Sequence, residues 1–163
     1  MSKYKLVELT QNLIDTTKES WQSLIGEDAF SLEFGLIFDW VEAHMQAIDG
    51  DSLAKGMLNN DTGQIAAFVE IVSGRKGQMH KLLKVVPSPY FWDVTTRRLE
   101  VIELYRDVFF SVLSSHGFKS LHKVKIYGRS DEMMSLLKSI HSLWSIPGSS
   151  AEFEGRFLSI HWK

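Results

Sequence analysis

Two arginines, Arg97 and Arg98, open the most regularly patterned helix of the chain, and Asp93 stands just ahead of them where a helix cap belongs. A cation in the first helical turn opposes the helix dipole at about 0.3–1 kcal/mol unless an anion is near, so the pair is either solvated or in contact with an anion. Asp93 pulls the other way. As a cap, its carboxylate takes the amides that a phosphate would need, and it repels the phosphate as well. Glu70 is the one carboxylate in the apolar stretch QIAAFVEIV. Alternation puts it on the face of Phe68 and Val72, where burial raises a carboxyl pKa; the other reading is a partly covered edge glutamate paired to a lysine. The histidines, at 44, 80, 116, 122, 141 and 161, show neither an i, i+4 pair nor a close carboxylate spacing, so no metal is expected. Ser73-Gly74 joins strands and so is no nucleophile elbow, which opens a helix. The chain has no cysteine. Disulfides, thiolate metal sites and a thioester on the protein are thereby excluded, and any group transfer is direct or uses another nucleophile.

The elements that must position these residues follow from the hydrophobic period. KYKLVEL (3–9) alternates as a strand, and Ile14, Thr17, Trp21, Leu24 and Ile25 then share a helical face that Gly26 ends. Asp28 is expected to cap a second helix, with Ala29, Leu36, Ile37, Trp40, Val41, His44, Met45 and Ile48 inward as far as Asp49-Gly50. LAKGML, QIAAFVEIV and QMHKLLKVV, separated by the turn clusters NNDTG and SGRKG, predict a three-stranded antiparallel meander. The stripe Val101, Ile102, Tyr105, Val108, Phe109, Val112 and Leu113 predicts a long helix stopped at His116-Gly117. SLHKVKIYG then predicts a strand, DEMMSLLKSIHSLW a helix ended by Pro147-Gly148, and EFEGRFLSIHW one strand or a hairpin.

At 163 residues with 44% apolar and 23% charged residues, and with no repeat or linker, residues 1–163 are expected to form one domain. A net charge of −2 and a pI near 6.3 argue against nucleic acid or a membrane surface as partner. No apolar run approaches a membrane span and the N-terminus lacks a signal-peptide core, so a cytoplasmic protein is expected. Aromatic residues make up 12% of the chain with five tryptophans, enough ring surface to fill a core or mark an interface, and a core is the expected use.

The order β-α-α-β-β-β-α-β-α-β, with Val85-Val86-Pro87 closing the fourth strand, resembles the GNAT superfamily of N-acetyltransferases over nearly the whole chain. The resemblance implies an α/β, GNAT-like fold with a mixed central sheet. It also implies an acyl-CoA-dependent N-acyltransferase that passes an acyl group, acetyl in the simplest case, from acetyl-CoA directly to a small-molecule or protein amine. On that reading Glu70 is the catalytic base, the backbone at Val85 and Val86 holds pantetheine, and Arg97, Arg98 and Ser130 contact the cofactor; a homodimer is left open. The departures are specific. The family starts its central helix with a glycine-containing loop whose amides and helix N-terminus hold pyrophosphate. Here Ser88-Pro89-Tyr90-Phe91-Trp92-Asp93 offers no glycine, one proline and three rings. Where the family often has Asn after the fifth strand and a Tyr general acid seven residues later, this chain has Arg129-Ser130 and Leu136-Leu137, and Ser130 then also reads as a helix cap. RRLEVIELYRD and LLKSIHSLW look like acetyltransferase-like proteins of tailed phages, with His141 where those often have glycine. The alternative is therefore a non-catalytic, divergent binding or structural protein of phage or mobile-element origin whose loop is plugged by Tyr90, Phe91 and Trp92.

Overall fold

The computed structural model describes residues 2–46, 52–74, 79–93, 95–114, 123–128, 131–145 and 147–162. Strand β1 (Tyr4–Val7) is followed by helices α1 (Gln11–Ile25) and α2 (Glu27–His44), then the meander β2 (Leu53–Asn59), β3 (Ile65–Gly74) and β4 (Met79–Pro87). A short 3-10 turn (Pro89–Phe91) leads to α3 (Arg98–Ser114), β5 (Lys123–Tyr127), α4 (Asp131–Ser142) and the hairpin β6 (Ser149–Glu154) and β7 (Phe157–Trp162). The strands form one sheet in the order β1-β2-β3-β4-β5-β7-β6, antiparallel throughout except between β4 and β5. This is the α/β arrangement with a mixed central sheet and the element order expected, and the open choice at the C-terminus resolves as a hairpin whose second strand slots in beside β5.

Alternation along the central strands divides the core in two. Val69, Ile71, Leu82 and Val85 face α3 and α4 and join Leu104, Tyr105, Val108, Phe109, Leu137 and Ile140. Phe68 and Val86 face the other way, into a second cluster with Ile14 and Trp21 of α1 and Phe30, Phe34 and Phe38 of α2. Here one expectation is corrected. Leu36, placed inward by the sequence, is 86% exposed, and the buried stripe of α2 is Phe30, Phe34, Phe38 and Val41. α2 is apolar around most of its circumference, and the three rings win the interior because each removes more area from water than a leucine. Nor does Asp28 cap α2. The cap is Gly26, at φ 88°, a left-handed conformation that only glycine adopts cheaply, and it lets one residue both end α1 and begin α2. The stops expected at Asp49-Gly50 and at His116-Gly117 lie outside the described residues.

Gly56 of β2 marks a close approach. A Cβ there would stand 2.7 Å from Ile65 Cδ1 and 2.9 Å from Leu9 Cδ2, and both of those side chains are themselves buried. Gly56→Ala is expected to cost about 1–3 kcal/mol by overpacking. A urea midpoint equal to the parent's would show that Ile65 and Leu9 repack freely.

Candidate functional site

The site is built around the one parallel joint. Met79–Leu82 pair with Lys123–Ile126, and there the pairing ends. Strand β5 stops a residue later at Tyr127, whereas β4 runs on to Pro87. On its other edge β4 stays bonded to β3, with a shift in register: Glu70 faces Lys84 and Ile71 faces Leu82, leaving Leu83 as a bulge. A bulge bends and twists its strand. From Leu83 onward β4 thus keeps β3 on one side and presents its other backbone edge to a cleft. At the apex of that cleft is a cavity of about 40 Å³, bounded by residues 82–85, Ile126 and Tyr127, with Tyr105 of α3 and Met133 of α4 behind. That is room for a few waters at most, so this apex admits only a small group without movement of its walls.

Four of the amides in the loop after β4 are already engaged. Ser88 N–H bonds to Ala66 O at 2.8 Å, Tyr90 N–H to Ser88 Oγ at 3.2 Å, Phe91 N–H to Ser88 O at 3.0 Å and Trp92 N–H to Pro89 O at 3.1 Å. Pro89 has no N–H. Asp93 then caps the lead-in to α3 as the sequence indicated: its Oδ1 accepts from Thr96 N–H at 3.1 Å and its carbonyl from Arg97 N–H at 3.0 Å. The Thr96 side chain and amide hold the Asp93 carboxyl below its usual range, and Arg97 adds a smaller pull in the same direction. A phosphate cradle needs free amides pointing at one spot, and these amides already donate within the loop.

The three rings of the loop do not plug the cleft, which corrects that expectation. Trp92 turns to α2 and stacks on Phe34 at 5.7 Å, half exposed; Phe91 is buried edge-on against Tyr4 of β1 at 6.4 Å. Tyr90 lies under the Arg97 guanidinium, 3.6 Å from its ring centroid, and donates its hydroxyl to Glu100 at 3.1 Å. Arg97 also pairs with Glu100 at 3.5 Å, and Arg98 donates to Ser139 of α4 at 3.3 Å. Arg97 is therefore held by a ring and a carboxylate, which relieves its share of the dipole cost, while Arg98 stays exposed with a neutral hydroxyl as partner.

The remaining candidates are placed as follows. Glu70 is half-buried on β3, between Ala54 of β2 and Lys84 of β4. Val85 and Val86 lie in the length of β4 that pairs with β3 alone and send their side chains into opposite cores. Ser130 lies outside the described residues. Sequence reasoning found no tyrosine on α4, yet Tyr127 and Tyr105 reach the cleft from β5 and α3; burial pushes the Tyr105 phenol far above its usual value. It also missed a cross-strand group on the β6–β7 hairpin, where Glu152, Glu154 and His161 offer ligand atoms within 4.8 Å of one another. His161 Nε2 is 2.8 Å from Glu152, while Lys125 Nζ is 2.5 Å from Glu154, so an ammonium already neutralises part of the group. No described helix is long and apolar enough to cross a membrane.

No family model matches the chain, and no curated protein matches it. Among solved structures, an acetyltransferase of the GNAT family from Staphylococcus aureus Mu50 is similar at 11% identity and TM-score 0.49, over 98% of this chain and 99% of that one. The N-acetyltransferase PseH of Campylobacter jejuni is similar at 12% identity and TM-score 0.49, over 99% and 98%. The PaiA N-acetyltransferase of Thermoplasma acidophilum, in complex with coenzyme A, is similar at 15% identity and TM-score 0.43, over 100% and 99%.

Proposed function

We propose that the chain is an acyl-CoA-dependent N-acyltransferase that works by direct transfer and holds its donor through the pantetheine arm, with little help from the phosphates. The observation that carries this reading is the length of β4 beyond Leu82, which keeps a free backbone edge along the cleft. The peptide groups at Val85 and Val86 are suited to pair with the amides of pantetheine. Glu70, one strand away, accepts a proton from the acceptor ammonium so that the amine can attack the thioester carbon. The Tyr127 hydroxyl, from the wall at the apex of the same cleft, supplies a proton to the departing sulfur. With no cysteine the amine attacks the donor itself, in a ternary complex.

Because Arg97 and the amides of Ser88, Tyr90, Phe91 and Trp92 are engaged elsewhere, removing the nucleotide from the donor should matter little. The test compares acetyl-CoA with S-acetylpantetheine over a panel of amines, following thiol release. The expected result is kcat/KM values within about tenfold of each other, and no further loss in the Arg97→Ala, Arg98→Ala double variant. A charged hydrogen bond contributes about 1.5–3 kcal/mol, or roughly 10–100-fold. A preference for acetyl-CoA beyond about a hundredfold, lost in the double variant, would return these arginines to the phosphates and overturn this reading of the donor.

The committed loop amides favour a second reading, a non-catalytic binding or structural protein of the tailed-phage kind that RRLEVIELYRD resembles. It predicts that neither donor is consumed and that millimolar acetyl-CoA leaves the melting temperature unchanged. A ligand at a hundredfold over its dissociation constant would add about 2.7 kcal/mol.

A further inference from the structure

Along β7, Leu158 and Ile160 turn into the core, so Ser159 and His161 share the opposite face of the sheet. Glu152 and Glu154 reach that face from β6, because Ala151 and Phe153 pack on the core side. Lys125, directly across from Ser159, reaches it from β5. The ligand atoms of Glu152, Glu154 and His161 all lie within 4.8 Å of one another. We propose that these three side chains bind a divalent transition-metal ion, zinc by the chemistry of the set, with a water as the fourth ligand.

Acidic groups beside a histidine are common on surfaces, and two orphaned atoms set this group apart. Among the described residues, the buried side-chain polar atoms without a hydrogen-bond partner are Ser159 Oγ and His161 Nε2, and both belong to this face. Ser159 is fully buried, and an unpaired polar atom in such a place is what a bound water or ion satisfies. His161 Nε2 stands 2.8 Å from Glu152 Oε1 and 4.0 Å from Glu154 Oε1. The shorter distance suits a hydrogen bond, but the oxygen lies off the line of the ring N–H and no bond forms. Atoms so placed are neighbours around a common point. With zinc–ligand bonds of about 2.0–2.2 Å, tetrahedral neighbours stand about 3.3–3.6 Å apart, a range that 2.8 and 4.0 Å bracket. Both glutamates are partly exposed, so turning their side chains closes the difference. Lys125 Nζ holds the other oxygen of Glu154, Oε2, at 2.5 Å; this leaves Oε1 for the ion and orients the carboxylate as an outer partner does. Ser159, in register with Glu152 on one side and Lys125 on the other, is placed to hold the fourth-position water. The chain has no cysteine, so the donors are nitrogen and oxygen; the imidazole favours zinc over magnesium or calcium. Spacing along one element could not find this set, because its ligands come from two strands.

The test uses the full chain without an affinity tag, freed of metal by chelator and dialysis. Calorimetric titration with zinc chloride should show a single site of micromolar or tighter affinity, and magnesium chloride should give no heat. Saturating zinc should raise the melting temperature, because the folded site alone brings the ligands together. No acyl donor is present, so the result bears on this site and not on acyl transfer. Glu152→Gln and His161→Gln, at partly exposed positions, should melt with the metal-free parent and each lose about a hundredfold or more in zinc affinity, beyond the roughly 10–100-fold that an outer partner is worth. Ser159→Ala should lose about tenfold and melt no lower than the metal-free parent, since the hydroxyl it removes has no partner there. His44→Gln, on α2, should bind zinc as the parent does. The proposal is overturned by no heat from zinc at millimolar concentration, by full affinity in Glu152→Gln or His161→Gln, or by magnesium that binds as tightly as zinc.

Discussion

Replacing Trp21 by alanine is expected to cost roughly 3–5 kcal/mol of stability, as full truncation of a buried aromatic does. For a chain of this size each kcal/mol moves the melting midpoint by about 2–4 °C, so a drop of roughly 6–20 °C should appear in a thermal melt. The magnitude follows from position. Trp21 is 1% exposed and packs edge-on against Phe34 at 5.1 Å and Phe38 at 5.6 Å, and tilted against Phe68 at 5.1 Å. One side chain thereby ties α1 to α2 and both to the sheet. Its Nε1–H also donates to Ile65 O at 3.2 Å, closing the start of β3 against α1. Trp21→Phe is the control. It keeps a ring but leaves that carbonyl without its donor, and should cost about 1–3 kcal/mol. A loss below about 2 kcal/mol for the alanine variant would mean that α1 docks through other contacts.

Glu70→Gln is expected to lower the turnover of any amine acylation by about 10²–10⁴ while leaving KM for the donor nearly unchanged, because it removes a proton acceptor and keeps the shape. Its melting temperature should match the parent's. Glu70 sits half-buried beside the bulge at Leu83, one strand from the free edge of β4. A carboxylate there can act on a nucleophile approaching the cleft without holding the donor. An unchanged rate removes Glu70 from the chemistry. An unfolded variant would make it a structural partner of Lys84 instead.

Most of the fold was legible because each element carries its own period and its own stop. Gly26, the NNDTG turn and Pro147-Gly148 all punctuate the chain where the sequence indicated. What misled was circumference and direction. In α2 the sequence FSLEFGLIFDWV offers apolar residues on nearly every side, so period alone could not choose Phe34 and Phe38 over Leu36. Three rings in a six-residue loop can turn any way. Their destinations were set by Phe34 and Tyr4, distant in sequence, and by a Ser88 cap that tightens the loop into a 3-10 turn. The missing glycines, the proline and the Asp93 cap of the loop are local facts that the sequence carries by itself. Tyr127, by contrast, meets the cleft only because β5 ends beside the bulge, and Glu152 meets His161 only because the last segment folds back as a hairpin, a choice the sequence left open. The Asp107 bond to the Tyr4 amide, spanning most of the chain, left no trace in local pattern.

The short parallel joint between β4 and β5 also bears on how the molecule assembles. On one side stand β1 to β4, and on the other β5, β7 and β6; each group is internally antiparallel, and the pairs β2–β3, β3–β4 and β6–β7 close through brief turns. Met79 meets Lys123 only after α3 and its flanking loops are in place. Chain closure over that distance costs more entropy than a hairpin and is rewarded by few ladder bonds. The joint is therefore expected to form after the hairpins on either side of it, and what holds it is less its ladder than the core of Val69, Leu82, Ile126, Leu158 and Ile160, which runs unbroken across it. The cleft lies along that line, so the depth to which it opens is limited by a core that both halves share.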